Sequence, residues 1–140
     1  MTCSICKRID RIKNGKDKHF VKELKTGYIV IGDYADSLGW TIFLCKKHKE
    51  ELHELDKDFK LKFLEEMAQV AEAVHQAFNP DKLNYELLGN KERHLHWHII
   101  PRYQTEKGYH RPIWYSVKRE PIGEKLEELK QILKLKLLKI

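Results

Sequence analysis

The chain has 140 residues, with 27 Lys or Arg against 21 Asp or Glu for a formal net charge of +6, and it is 41% hydrophobic and 34% charged. One domain is expected at this length, burying roughly two-thirds of its unfolded surface, and the apolar share offsets chain entropy well enough to exclude a disordered chain. No apolar run approaches the roughly 18 residues of a membrane span, and Lys7 and Arg8 stand where a secretory leader would be apolar, so a soluble cytoplasmic protein is expected.

Cys3 and Cys6 stand two residues apart, followed by a polar turn at Asn14-Gly15-Lys16-Asp17. Short strands are predicted at His19–Leu24 and Tyr28–Ile31, joined at Thr26-Gly27, with Gly32-Asp33 ending the second. Residues Tyr34–Gly39 read as loop, and Trp40–Cys45, β-branched and aromatic, as a third strand. Lys49–Leu55 reads as a short helix. Asp56 then offers an N-cap to a long one, with Phe59, Phe63, Met67, Val70, Val74 and Phe78 on one face and Asn79-Pro80 as its stop. Leu83–Leu88 is a predicted fourth strand closed by Gly89-Asn90, and His94–Pro101 a fifth. Gly108–Pro112 reads as loop, Trp114–Val117 as an extended return, and Pro121-Ile122-Gly123 as the opening of a last helix to Ile140. Strands before and after one long helix indicate an α+β class with an antiparallel five-stranded sheet.

Three of the eight histidines fall at 94, 96 and 98. In a strand these share one face at steps of about 6.5–7 Å, while Leu95, Trp97 and Ile99 point into a core. Three imidazoles in register are poor core material, because every ring nitrogen needs a partner. Two chemistries use such a row: metal ligation by neutral imidazole, or nucleophilic attack by the central ring on an electrophile such as phosphorus. The attacking ring must be neutral at working pH. The excess of base suits a phosphate or nucleotide, but its interleaving with Glu is also what an ordinary soluble surface looks like, and nucleic acid is not an expected partner.

The run His94-Leu95-His96-Trp97-His98-Ile99-Ile100, followed by Pro101-Arg102-Tyr103, resembles the histidine triad (HIT) family. The resemblance extends to the amino-terminal Cys pair, to Gly39-Trp40-Thr41-Ile42-Phe43-Leu44-Cys45-Lys46-Lys47-His48 and to Asn84-Tyr85-Glu86-Leu87-Leu88-Gly89-Asn90. It looks most like the branch of diadenosine tetraphosphate hydrolase-like proteins. The resemblance implies one HIT-like domain over 1–140, with 1–17 a zinc-knuckle segment and 122–140 a C-terminal helix, assembled as a homodimer. It implies cleavage at the α-phosphate of a nucleoside polyphosphate or phosphoramidate through a nucleotidyl-His96 intermediate, with His98 contacting the phosphate and the leaving group. Asn90 would touch the phosphate and Asp33 the ribose hydroxyls. Members often carry a Gly-Gln-Ser/Thr loop before the triad. Only Lys91-Glu92-Arg93 stands here, so Arg93 or Lys91 is expected to supply positive charge. Trp40 replaces the usual histidine after Gly39 and is expected in the core.

Three cysteines in such a chain argue against a disulfide framework, and the Cys3-x-x-Cys6 spacing favours zinc. Zinc-bearing members of the resembling family imply His48 and His94 as the other two ligands of a structural ion, with Cys45 a rival to His94. His19, His53, His75 and His110 receive no role. Two further readings stand beside the hydrolase: a nucleotide-sensing module with little turnover, and a phosphohydrolase whose three triad histidines share one catalytic metal.

Overall fold

The computed structural model describes residues 2–140; Met1, the first residue of the expected 1–17 segment, lies outside the described residues. That segment contains a helix absent from the sequence reading, α1 (Ser4–Lys13). Ile5, Ile9 and Ile12 recur at helical spacing and bury one stripe, while Arg11 and Lys13 sit in the last turn, where the macrodipole favours cations. Cys3 caps its start: Sγ accepts the Cys6 N–H at 3.3 Å. At ten residues, with one isoleucine per turn among charged neighbours, the stripe is too short to stand out in sequence.

The first hairpin joins β1 (Phe20–Glu23) to β2 (Gly27–Ile31). Its turn is fixed from below by Glu66, 3% exposed, whose carboxylate accepts the backbone N–H groups of Lys25 and Thr26 and the Thr26 hydroxyl. Gly27 has no room for a side chain, since a Cβ there would stand 2.3 Å from the Leu44 carbonyl. β3 follows (Thr41–Cys45), with Trp40 just before it rather than within it. The expected short helix at 49–55 is one 3-10 turn, Leu52–Glu54. Helix α2 (Lys57–Phe78) starts and stops as expected: Asp56 accepts the Phe59 N–H at 3.0 Å, and Asn79 takes a left-handed conformation (φ 47°) before Pro80.

The remaining elements correct the sequence reading at their edges. β4 (Lys82–Glu86) ends two residues early, leaving Asn90 in the following loop. β5 (His96–Arg102) begins at His96, so His94 lies ahead of the strand. Trp114–Val117 is no extended return: Ile113–Tyr115 make a 3-10 turn closed by the Ser116 N–H on the Ile113 carbonyl. The last helix opens as a 3-10 turn at Gly123–Lys125, and α3 proper (Leu126–Lys136) stops short of Ile140.

The five strands form one antiparallel sheet in the order β1-β2-β3-β5-β4, which makes the fold α+β as expected. On one face Ile29, Phe43, Trp97 and Ile99 pack with Phe63 and Val70 of α2 and Leu129 and Leu133 of α3. On the other, α1 lays its isoleucines over Tyr28, Val30 and Leu44, while Trp40, Ile100 and Ile113 form a separate apolar cluster. His96 pairs with Leu44 and His98 with Ile42, which places both rings on the α1 face. Beyond β5 the chain is tied down by Arg102, 1% exposed. Its guanidinium donates to the Asn84 side chain and to the carbonyls of Gly108 and Arg111, each at 2.8 Å, and pairs with Glu106. Among the described residues, no helix is long and apolar enough to cross a membrane.

Candidate functional site

Neighbouring positions of β5 bring the His96 and His98 rings to 5.1 Å between centroids, edge to face. Each ring has one nitrogen already committed. His96 Nδ1–H donates to the His94 carbonyl at 2.7 Å, which leaves the lone pair on Nε2. At His98 the polarity is reversed. Indole nitrogen only donates, so Trp40 Nε1–H at 3.0 Å makes His98 Nδ1 the acceptor and puts the proton on Nε2. Burial, and after it the nearby His96, pushes the His98 pKa down to about 4. The pair therefore offers a nucleophilic nitrogen beside a neutral N–H donor, the two groups needed to attack an electrophile and steady an oxygen on it.

Aromatic side chains brace this pair. Trp40 is 2% exposed, in the core as expected, but it also orients His98, a function its residue type alone did not reveal. Trp114 stands perpendicular to His98 at 5.6 Å and against Trp40 at 5.2 Å, and its Nε1–H donates to Glu86 at 2.5 Å. Neither Trp114 nor Glu86 was singled out from sequence. Glu86 faces His98 in strand register, a relation visible only once β4 and β5 are paired.

His94 turns away from this pair. Its Nδ1 lies 3.5 Å from Cys3 Sγ, 3.5 Å from Cys6 Sγ and 3.1 Å from His48 Nδ1, with Cys6 Sγ 3.4 Å from His48 Nδ1. The four donor atoms lie within 4.8 Å of one another and could hold a metal ion. A zinc tetrahedron with Zn–S of about 2.3 Å and Zn–N of about 2.0 Å has sulfur–nitrogen edges of about 3.5 Å, close to the separations found. The tautomer also fits. His94 Nε2–H donates to the Cys45 carbonyl at 2.7 Å, so the Nδ1 lone pair points into the cluster. Burial holds His94 below the usual imidazole range, favouring that neutral form. Cys45 contributes its backbone but not its sulfur: the side chain is buried outside the cluster, and burial raises its thiol to about 11. Cys3, Cys6, His48 and His94 thus stand together as one donor set, apart from His96 and His98.

The other expected binding residues are dispersed. Asp33 borders a hollow with Arg8, Arg11, Asp17 and His19, 3.6 Å from both Arg8 Nη2 and His19 Nε2. His19, given no role from sequence, donates Nδ1–H to the Ile31 carbonyl at 3.0 Å, and burial lowers its pKa. Asn90 is exposed in the loop after Gly89. Arg93 is exposed and paired with Glu50 at 3.0 Å, and with Lys91 it borders a hollow beside Cys3 and His48. None of Asp33, Asn90 and Arg93 bonds to His96 or His98 among the described residues. A separate hollow beside His96 is lined by Glu50, Glu51, Leu87, Leu88 and Gly89. His53, His75 and His110 are exposed and lie outside these groups.

Comparison with known proteins places this arrangement among relatives. A family model described as HIT domain matches residues 13–105. Protein hit of Bacillus subtilis is 30% identical over 76 residues, 51% of this chain and 52% of that protein, so the match spans about half of the relative's length. The crystal structure of a hypothetical histidine triad nucleotide-binding protein from Sulfolobus tokodaii superposes with a TM-score of 0.73 at 25% identity, covering 96% of this chain and 91% of that one. A Zn-bound histidine triad family protein from Mycobacterium smegmatis shares the fold at a TM-score of 0.72 and 18% identity, covering 99% of this chain and 95% of that one.

Proposed function

The chain belongs to the HIT domain family, and from that membership we propose that it is a nucleotide hydrolase or nucleotidyl transferase acting at an α-phosphate through a nucleotidyl-His96 intermediate. The observation that carries this reading is the opposed tautomers of the histidine pair: His96 Nδ1–H is bound to the His94 carbonyl, which leaves Nε2 to attack, and Trp40 keeps a proton on His98 Nε2. Attack forms the Nε2–P bond as the bond to the leaving group breaks, with its electron pair departing on that group. His98 Nε2–H hydrogen-bonds to the oxygen that gains charge. The substrate class is a nucleoside polyphosphate of the diadenosine tetraphosphate type or a nucleoside phosphoramidate. Asp33 would meet the ribose, and Asn90 and Arg93 the phosphates once Arg93 is released from Glu50. The nucleotide-binding description of the Sulfolobus tokodaii protein supports this class.

Cys3, Cys6, His48 and His94 would hold a structural zinc. This is supported by the edge lengths of the cluster and by the Zn-bound Mycobacterium smegmatis relative. Such an ion supplies a closed tetrahedral cross-link and no reacting position. We read residues 1–140 as one HIT-like domain of a cytoplasmic homodimer.

The deciding experiment is an alkaline, denaturing quench of the protein mixed with diadenosine tetraphosphate labelled at the α-phosphate. Acid-labile, base-stable label is expected on the wild-type chain and none on His96→Asn, with turnover of the variant reduced by at least about 10³-fold and its nucleotide affinity and fold retained. Label that persists in His96→Asn defeats the covalent assignment. Tight nucleotide binding without turnover would make the protein a sensor.

A further inference from the structure

We propose that Glu86 is a further catalytic residue, the general base that takes the proton from water when the nucleotidyl-His96 intermediate is hydrolysed. This inference rests on the covalent reading above and concerns its second step. Glu86 pairs with His98 across the β4–β5 ladder, so its side chain leaves the sheet on the face that carries both site histidines. One carboxylate oxygen accepts from Trp114 Nε1, and that indole stands perpendicular to His98. The carboxylate is thereby tied to an indole that itself packs against His98, and it borders an open hollow with Tyr109, His110 and Arg111. Its second oxygen has no hydrogen-bond or ion-pair partner among the described residues, and Glu86 is partly exposed.

The step needs such a group because the histidines cannot supply it. His98 has its Nδ1 lone pair occupied by Trp40 and already carries a proton on Nε2. His96 is the leaving group of the second step. Phosphoryl transfer runs with attacking and departing atoms roughly in line. His96 holds one side of the phosphorus, so water arrives from the side the first leaving group vacated, where in the reading above His98 would have met that group. Glu50 and Glu51 border the hollow beside His96 as well, but it is Glu86 that stands opposite His98 in the sheet. In the step itself the water oxygen bonds to phosphorus, one water proton passes to the unoccupied Glu86 oxygen, and the P–Nε2 bond breaks with its electron pair returning to Nε2. His96 departs as neutral imidazole because Nδ1 keeps the proton it shares with the His94 carbonyl.

Rapid quench with α-labelled diadenosine tetraphosphate separates the two steps. In Glu86→Gln, whose amide oxygen can still accept from Trp114, the label is expected to reach His96 at the wild-type rate. Its hydrolysis should slow by about 10²-fold or more, the usual contribution of a positioned base, so labelled protein accumulates. Hydroxylamine, which attacks without prior loss of a proton, should discharge that label, and Glu86→Asp should recover part of the hydrolysis rate. Equal slowing of labelling and discharge, or no change in either, overturns the proposal and leaves Glu86 a prop for Trp114. Failure of the wild-type chain to be labelled or to turn over is a different result: it removes the covalent reading, and this proposal with it.

Discussion

At Trp40 and His98 a single indole hydrogen bond decides a protonation state. Because the indole cannot accept, a proton on His98 Nδ1 would have to break the 3.0 Å bond to Trp40 and enter a site shared with His96 and walled by Trp114, with Glu86 the facing carboxylate. His98 is therefore expected to show no imidazole titration between pH 5 and 8 in an NMR pH series, consistent with a pKa near 4. In Trp40→Phe, which loses the donor but keeps the ring and so the burial, the Nδ1 lone pair is freed while the midpoint should stay well below the ordinary value of about 6.5. The stability consequence has a definite sign. The folded pKa lies below the unfolded one, so this contribution is complete above pH of about 6.5 and is lost as the pH falls through about 4. His98→Gln, which removes the titrating ring, should flatten that acid dependence in urea titrations at a series of pH values. The alternation of histidines disclosed which face they occupy, since period two is a property of any strand. Which nitrogen bears the proton depends on Trp40, 58 positions away in sequence.

The elements themselves divide by how local their causes are. Helix α2 was legible from Asp56 to Asn79 because cap, apolar stripe and stop are all written within the segment. Helix α1 was not, because its isoleucines are explained only by Tyr28, Val30 and Leu44 beneath them. The start of β5 was misplaced by two residues for a similar reason. His94 continues the alternating pattern in sequence, yet its side chain is drawn aside by Cys3, Cys6 and His48. The β1–β2 turn depends on Glu66, a helix residue that receives three donors from Lys25 and Thr26. Hydrogen bonds to a charged group contribute about 1.5–3 kcal/mol each where loss strands a buried partner. Glu66→Ala should therefore cost about 3 kcal/mol and lower the melting temperature by roughly 10 °C. The loss of protection should be concentrated at the Thr26 amide in hydrogen exchange, which separates a failed turn from general loosening.

On the scale of the molecule, the Cys3–Cys6–His48–His94 cluster joins three segments distant in sequence: the start of α1, the loop after β3 and the loop before β5. A chelator strong enough to strip zinc should lower the melting temperature, and Cys3→Ser should reproduce most of that loss in untreated protein. An unchanged melt after verified removal of metal would show that the α1 isoleucines alone hold the amino terminus. The α+β class and the donor set could be anticipated from spacing and family resemblance. The dispersal of Asp33, Asn90 and Arg93 could not, because the loops that carry them are placed by tertiary contacts such as the Arg93–Glu50 pair. The clasp formed by Arg102 has a different consequence. A guanidinium keeps its charge throughout the pH range in which proteins stay folded, so its grip on the Gly108 and Arg111 carbonyls has no acid or alkaline release. The span leading to Trp114 is moored rather than hinged. A bulky ligand must fit the chain as that mooring leaves it, since of the clasp's partners only the Glu106 carboxylate answers to acid.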